Sequence, residues 1–303
     1  MTSIKIQNSY AQQPEGTGAL YLVATPIGNL EDMTYRAVRT LQEADIIAAE
    51  DTRESRKLLT HFDIQGKKLF SYHEHNKRAS GPELIRLMQE GQRIALVSDA
   101  GLPAISDPGA DLVQLAVEAN VPVIPVPGAN AALSALIASG LSTERFTFIG
   151  FLPRDRKSID ELLTSVKREK GSILLYESPH RVVKTLIRIH EVLGDRQVVV
   201  ARELTKRYEQ FVRGSVTQCI EYYEAEPPLG ECCIVIGGAS DSSLTIGEED
   251  VWWTSLSLEE HVAHYEQGEG LSKKDAMKQT AKDRGVTKRE IYQQLLELQH
   301  HAD

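Results

Sequence analysis

Eight short apolar runs recur along the chain with segments of helical length between them, and this alternation restricts the fold more than any other feature. The runs are Leu20–Ala24, Ile46–Ala49, Ile94–Val97, Val121–Val126, Phe146–Phe151, Ile173–Tyr176, Val198–Ala201 and Cys232–Ile236. Several are apolar without alternating, as strands covered on both faces must be. Asp111–Ala119 and Ala129–Ser139 have helical length and composition. Strands and helices in this order predict α/β layers with mostly parallel sheets.

The chain has 303 residues, enough for two or three domains. Pro127-Gly128 breaks it once, and the flexible polar stretch Gly237–Ser243 breaks it again. The expected division is a polar N-terminal tail (1–17), an α/β domain (18–127), a second α/β domain (128–238), an acidic connector (239–270) and a helix-turn-helix-like tail (271–303). Three cysteines, none in a C-x-x-C pair, fit reduced thiols and a cytoplasmic protein without a zinc site. No apolar run is long enough to span a membrane, and the N-terminus lacks the apolar core of a signal peptide.

Net charge is −9, which argues against wholesale phosphate binding, but it is unevenly spread. Eight acidic residues and no Lys or Arg lie between Asp241 and Gly270; seven Lys or Arg and four acidic residues lie between Leu271 and Leu298. In that tail, Ser272 and the Thr287–Glu290 capping box start two helices, and Gly285 suits the turn between them. Ala276, Met277, Thr280 and Ala281 form one apolar stripe, and Ile291, Leu295 and Leu296 another. Such a pair either binds nucleic acid through its basic stripe or serves as a plain helical cap.

In an open α/β sheet, ligands bind beyond the carboxyl ends of the strands. Three loops there are built unusually. Ala24–Leu30 (ATPIGNL) is neither a dinucleotide fingerprint nor a P-loop. Ser98–Gly109 (SDAGLPAISDPG) leaves a buried strand and postpones the next helix with glycine, proline, serine and aspartate. Its second half is explained by Ser106 or Asp107 capping a helix; its first half is not. Val126–Ala132 (VPGANAA) places small residues at a helix start, for a planar ligand or for close packing. Polar clusters follow further strands: EDTR (50–53), YHEHN (72–76), ESPHR (177–181) and ARELTK (201–206). His73 and His75 form an H-x-H with no third ligand in view, so no metal is expected.

Taken in order, TPIGNL, EDTR, SYHEHN, VSDAGLPAISDPG, VPGANAAL, GFLPR, ESPHR and ARELTK resemble the tetrapyrrole methylase superfamily, over roughly residues 18–303. Within it they are similar to the branch that methylates the ribose 2′-hydroxyl of a cytidine in the decoding region of 16S rRNA. The resemblance implies two α/β domains with S-adenosylmethionine in the cleft between them, a homodimer, and the small ribosomal subunit as partner. Carried onto this chain, the cofactor contacts are Pro26, Ile27, Asp99, Gly101, Leu102, Asn130, Ala131, Tyr176, Glu177 and Ala201, with Ile105 competing for the role of Leu102. Asn29 stands where relatives carry an acidic residue facing a tetrapyrrole, a change that favours RNA. Candidate bases or hydroxyl-orienting groups are His180, Glu203 and Lys206. Candidate substrate contacts are Asn29, Arg53, His73, Asn76, Arg154 and Arg181. The alternatives are a methyltransferase for a tetrapyrrole or another small molecule, and a non-catalytic cofactor-sensing regulator that binds DNA.

Overall fold

The computed structural model describes residues 18–239, 256–268, 270–284 and 286–300, together with Ile4, Ile6, Gln7, Ser9 and Trp253. Gly285, most of the expected N-terminal tail and half of the acidic connector lie outside the described residues. Contacts divide the chain into two compact units, residues 1–239 and 240–303.

The first unit contains two five-stranded sheets. The first is built from β1 (Ala19–Val23), β2 (Ile46–Ala49), β3 (Lys68–Ser71), β4 (Arg93–Val97) and β5 (Val123–Val126), in the order β3-β2-β4-β1-β5. All four pairings are parallel. Helices α1 (Tyr35–Glu43), α2 (Thr52–His61), α3 (Lys77–Gln89) and α4 (Gly109–Glu118) connect its strands. Successive strand residues point to opposite faces. Leu20, Ile46, Ala48, Ile94 and Leu96 pack with Leu84, Met88, Leu112 and Ala116 of α3 and α4. Val23, Ile47, Ala49, Ala95 and Val97 pack with Ala37, Leu41 and Leu59 of α1 and α2. Covering both faces explains why these strands show no polar alternation.

The second sheet departs from the expectation of mostly parallel pairing. Its strands are β6 (Phe146–Phe151), β7 (Ser172–Glu177), β8 (Gln197–Arg202), β9 (Gln210–Ser215) and β10 (Cys232–Ile236), in the order β6-β7-β10-β8-β9. Only β6 and β7 run parallel; β10 is antiparallel to both β7 and β8, and β9 returns antiparallel to β8. The cause is the β8–β9 hairpin, which reverses the chain without a two-residue turn to announce it. α5 (Ala131–Ser139) packs on one face of this sheet. α6 (Arg156–Ser165), α7 (Val182–Leu193) and α8 (Val216–Ala225) cover the other.

The second unit is helical: α9 (Leu258–Ala263), α10 (Lys273–Asp283) and α11 (Lys288–His300). Ser272 Oγ accepts from the Asp275 amide, and Thr287 and Glu290 exchange the two bonds of a capping box. Ala276, Met277, Thr280 and Ala281 of the first stripe and Ile291 of the second are buried and Leu295 is half-buried, while the Leu296 side chain lies outside the described residues. Of the seven basic residues in the tail, Arg284 is spent internally: its Nε donates to Nδ1 of the fully buried His261 at 3.1 Å. His261 Nε2 lies 3.2 Å from Asp283, and Trp253 stacks on the ring at 5.2 Å.

Burial depresses the His261 pKa below its ordinary 6.5, against the opposing hydrogen bond to Asp283, and the Arg284 charge and His264 add to the depression. A depressed folded-state pKa gives stability that is present above the unfolded value and lost as pH falls. Amide protection factors in α9–α11 of the full chain should therefore be high at pH 8 and fall below about pH 6.5, the ordinary imidazole range. Equal protection at pH 8 and pH 5.5 would refute the prediction.

Candidate active site

The first sheet changes winding direction between β1 and β4: the path from β1 moves toward β2, and that from β4 crosses to β5. Beyond the carboxyl ends of such a strand pair the outgoing loops diverge and leave a crevice. Here the two loops are tied together: the Thr25 amide donates to Gly101 O at 2.9 Å and the Gly101 amide to Thr25 O at 3.0 Å. Thr25 Oγ1 also donates to Ser98 O. Gly101 has φ +78°, and a Cβ on it would stand 3.3 Å from Ile27 Cγ2. Glycine is thus required both for the turn and for the close approach.

Above this crevice lies a cavity of about 410 Å³, within the range of small-molecule sites. The first half supplies Ile27, Glu50, Ser98–Leu102 and Ile105–Asp107; the second supplies Asn130, Ala131, Phe151, Tyr176–Pro179, Ala201, Glu203, Leu204, Lys206 and Glu231–Cys233. An adjoining cavity of about 350 Å³ is lined by Pro26, Gly28, Leu30 and residues of α2, and shares Ile27, Asp99 and Lys206 with the first.

Nine of the ten expected cofactor residues therefore line one space, and Pro26 lines its neighbour. Leu102 and Ile105, offered as competitors, both line it. Asp107 has two duties: its Oδ1 accepts from the Gly109 and Ala104 amides, while Oδ2 is buried without a protein donor. Asn130 Oδ1 caps α5 by accepting from the Leu133 amide. Glu177 is fully buried; Thr185 Oγ1 donates to its Oε2 at 2.7 Å and the Ser178 amide to its Oε1 at 2.8 Å.

Of the six non-glycine residues with positive φ among the described residues, four sit in the cavity loops: Ala104, Ser106, Glu203 and Thr205. Strain of this kind persists only where the surroundings impose it, and it collects at ligand sites.

Among the described residues, Glu50, Asp99, Asp107, Glu177, Glu203 and Glu231 line the cavity against one basic residue, Lys206. Burial raises the Glu50 pKa, helped by the charges of Asp99 and Asp107; burial likewise raises that of Asp107, against its backbone hydrogen bonds. The excess of carboxylates suits a cationic ligand. S-adenosylmethionine, the cofactor implied by the resemblance, fits on three counts: a sulfonium and an ammonium for the acids, hydroxyls for the unpartnered Asp107 Oδ2, and a glycine-cleared approach at Gly101.

Lys206 Nζ lies 2.9 Å from Glu203 Oε1 and 3.4 Å from Glu231 Oε2. Burial lowers its pKa, but the Glu203 hydrogen bond and the charge of both carboxylates outweigh this and raise it. Lys206, expected as a base or a hydroxyl-orienting group, therefore has neighbours that favour its ammonium form.

The other expected residues do not reach the cavity. His180 is exposed on the turn before α7, and Arg154 is exposed at the start of the α6 segment. Arg53 points outward and pairs with Asp51 at 2.7 Å, which holds that carboxyl down at about 2. Asn76 closes its own loop, accepting from the His73 amide and donating to Ser71 O, and half-buried His73 belongs to the same turn. Arg181 donates to Leu152 O and Pro153 O beside Glu177. Asn76 and Arg181 thus each have part of their hydrogen-bonding capacity engaged within the protein. Asn29 caps a short 3-10 turn, with its side chain accepting from the Glu31 amide.

Sequence reasoning missed Glu50, Phe151, Glu231, Cys232 and Cys233. The two cysteines line the cavity because β10 is central, and burial pushes both thiols up to about 12, so they remain protonated. Glu50 stood in a quoted motif and was legible as a strand-end acid; Glu231 carried no signal.

A family model described as Tetrapyrrole (Corrin/Porphyrin) Methylases matches residues 19–219. The chain is 54% identical to the ribosomal RNA small subunit methyltransferase I of Halalkalibacterium halodurans, over 95% of this chain and 98% of that one. The protein of the same name from Bacillus subtilis is 49% identical, over 91% and 93%. Among solved structures, a cobalt precorrin-4 methyltransferase of cobalamin biosynthesis has the same fold with TM-score 0.58, at 21% identity and over 75% of this chain and 98% of that one. A uroporphyrin-III C-methyltransferase from Thermus thermophilus, complexed with S-adenosylhomocysteine, aligns with TM-score 0.52 at 18% identity, over 76% of this chain and all of the other.

Proposed function

This chain belongs to the ribosomal RNA small subunit methyltransferase I family of tetrapyrrole methylases, and from that premise we propose that it uses S-adenosylmethionine to methylate the ribose 2′-hydroxyl of a cytidine in the decoding region of 16S rRNA. The observation that carries the reading is the acid-lined cavity shared by both sheets, with a single ammonium where it meets the second cavity. The substrate is the small ribosomal subunit, which presents a single reachable nucleotide, and its assembly places the protein in the cytoplasm.

S-adenosylmethionine supplies a methyl group on a sulfonium, a good leaving group. The chain's own task is to hold the acceptor in line with that methyl and to take the hydroxyl proton. Ile27, Gly101, Leu102, Asn130, Ala131 and Ala201 shape the cofactor space, and Asp99 and Asp107 offer acceptors to it. Glu203 Oε1 is engaged with Lys206, leaving Oε2 to accept the proton. The Lys206 ammonium steadies the negative charge that develops on the acceptor oxygen, an electrostatic role of the kind oxyanion donors fill. Exposed Lys273, Lys274, Lys278 and Lys282 give the helical unit a basic face for RNA phosphate. The working form is a homodimer; Leu133 and Ile137, one turn apart on α5 and 44% and 76% exposed, are the apolar surface for it. Sedimentation of a monomer at all concentrations would remove that part of the reading.

Purified protein, methyl-labelled cofactor and small ribosomal subunits test the reaction. Label is expected in 16S rRNA at one nucleotide that resists alkaline cleavage, since a 2′-O-methyl blocks it; label absent from RNA defeats the reading. Asp99→Ala should weaken cofactor affinity about tenfold or more, the worth of a hydrogen bond to a charged group. The melting temperature should hold, because Asp99 is exposed and its side chain accepts a hydrogen bond only from the Asp51 amide among the described residues. Unchanged calorimetric affinity would remove Asp99 from the site.

A further inference from the structure

The segment carrying Glu203 and Lys206 is clamped from two directions. Below it, a Cβ on Gly230 would stand 2.0 Å from Glu203 Oε1, so the glycine sits directly against the carboxylate. From the other half of the molecule, the Asn29 amide donates to Thr205 Oγ1 at 3.0 Å. Gly28 lies so close that a Cβ there would be 2.4 Å from Lys206 Cγ and 3.0 Å from Thr205 Oγ1. Thr205 itself is held at φ +64°, rare for a β-branched residue, with its amide donating to Glu209 Oε2 at 2.7 Å. A strained backbone that spends its hydroxyl on a bond to the other half calls for a purpose.

We propose that Thr205 is a positioning residue whose hydroxyl fastens the loop bearing Glu203 and Lys206 to the turn that bears Pro26 and Ile27, and so fixes proton acceptor and ammonium relative to the methyl donor. This rests on the functional reading above. The bond joins the two halves next to Ile27 and Lys206, which line both cavities. Without it, the loop keeps its own bonds, Thr205 to Glu209 and Lys206 to Glu203 and Glu231, but loses its hydrogen bond to the Asn29 turn and with it the set distance between the two. The cofactor space, formed mostly by other residues, stays intact. Loss of the hydroxyl therefore acts on alignment, where a misplacement of about 1 Å can cost about a hundredfold in rate.

The test compares Thr205→Val, Thr205→Ala and Thr205→Ser with the parent, using labelled cofactor and small subunits. Thr205→Val and Thr205→Ala should lose about tenfold to a hundredfold in kcat, with cofactor Kd and RNA KM within about threefold of the parent. Thr205→Ser, which keeps the hydroxyl, should recover most of the loss. Amide exchange at Asn29, read without RNA, should accelerate in the first two variants and not in the third. The proposal is overturned by an unchanged kcat, by a loss confined to KM or Kd, by failure of serine to rescue, or by Asn29 exchange that ignores the substitution. If Thr205→Val does not fold, the alanine variant decides. Should the parent leave RNA unlabelled, the choice of acceptor fails separately, and the Asn29 exchange still judges the fastening.

Discussion

Glu177→Ala should lower the stability of the protein by about 3 kcal/mol, the scale for breaking a buried charged network. Glu177 ends β7 with its side chain wholly out of solvent. Removing it leaves Thr185 Oγ1, itself buried, and the Ser178 amide without their acceptor, and strands the Arg181 guanidinium 3.4 Å away. For a unit of this size the loss corresponds to a drop of roughly 6–12 °C in melting temperature. Glu177→Gln keeps an acceptor for Thr185 and loses only the charge, so it should cost about 1 kcal/mol. A calorimetric scan in which the two variants melt together, near the parent, would show that the network carries no weight.

Gly230→Ala should reduce turnover about a hundredfold while the chain still folds. The added methyl would meet Glu203 Oε1 at 2.0 Å and Cδ at 2.3 Å, and φ at Gly230 is +79°. The backbone penalty for alanine there is about 1 kcal/mol, small beside total stability. The main effect falls on Glu203, whose carboxylate must leave Lys206. Because that hydrogen bond is the chief influence raising the Lys206 pKa, its loss lets burial pull the value down. The ammonium then deprotonates at lower pH, so the alkaline limb of the rate profile should move down in the variant. Parent-like turnover with an unmoved alkaline limb would detach the Glu203–Lys206 pair from the chemistry.

The layered α/β architecture and the cofactor loops were legible in the sequence because each has a local cause. Non-alternating runs such as Ile94–Val97 record burial on both faces, and the glycines and prolines of 98–109 record a backbone that must come close to something. β3 and β9 were not legible: KLFS is short and QFVRGS has Arg213 and Gly214 where a strand would place apolar residues. Arg213 finds its partners at Ser139 O and Ala138 O, 74 and 75 residues away, and no window of sequence contains them. Arg181 and Asn76 make the same point: in a strand-end motif they read as functional groups, and the fold gives each of them carbonyl or amide partners as well. Polar residue type shows that a bond will be made, not with what.

The central place of β10 has a bearing on synthesis. Residues 232–236 form the middle strand of the second sheet, bonded on both sides to strands made earlier. Until they emerge from the ribosome, β7 and the β8–β9 hairpin have no common neighbour, whereas the first sheet has all five of its strands by Val126. Folding during translation thus proceeds in two stages, with the nascent second half waiting for its penultimate stretch before it can close. A chain truncated just ahead of Cys232 keeps a template for the first stage and leaves two long strand edges open to aggregation.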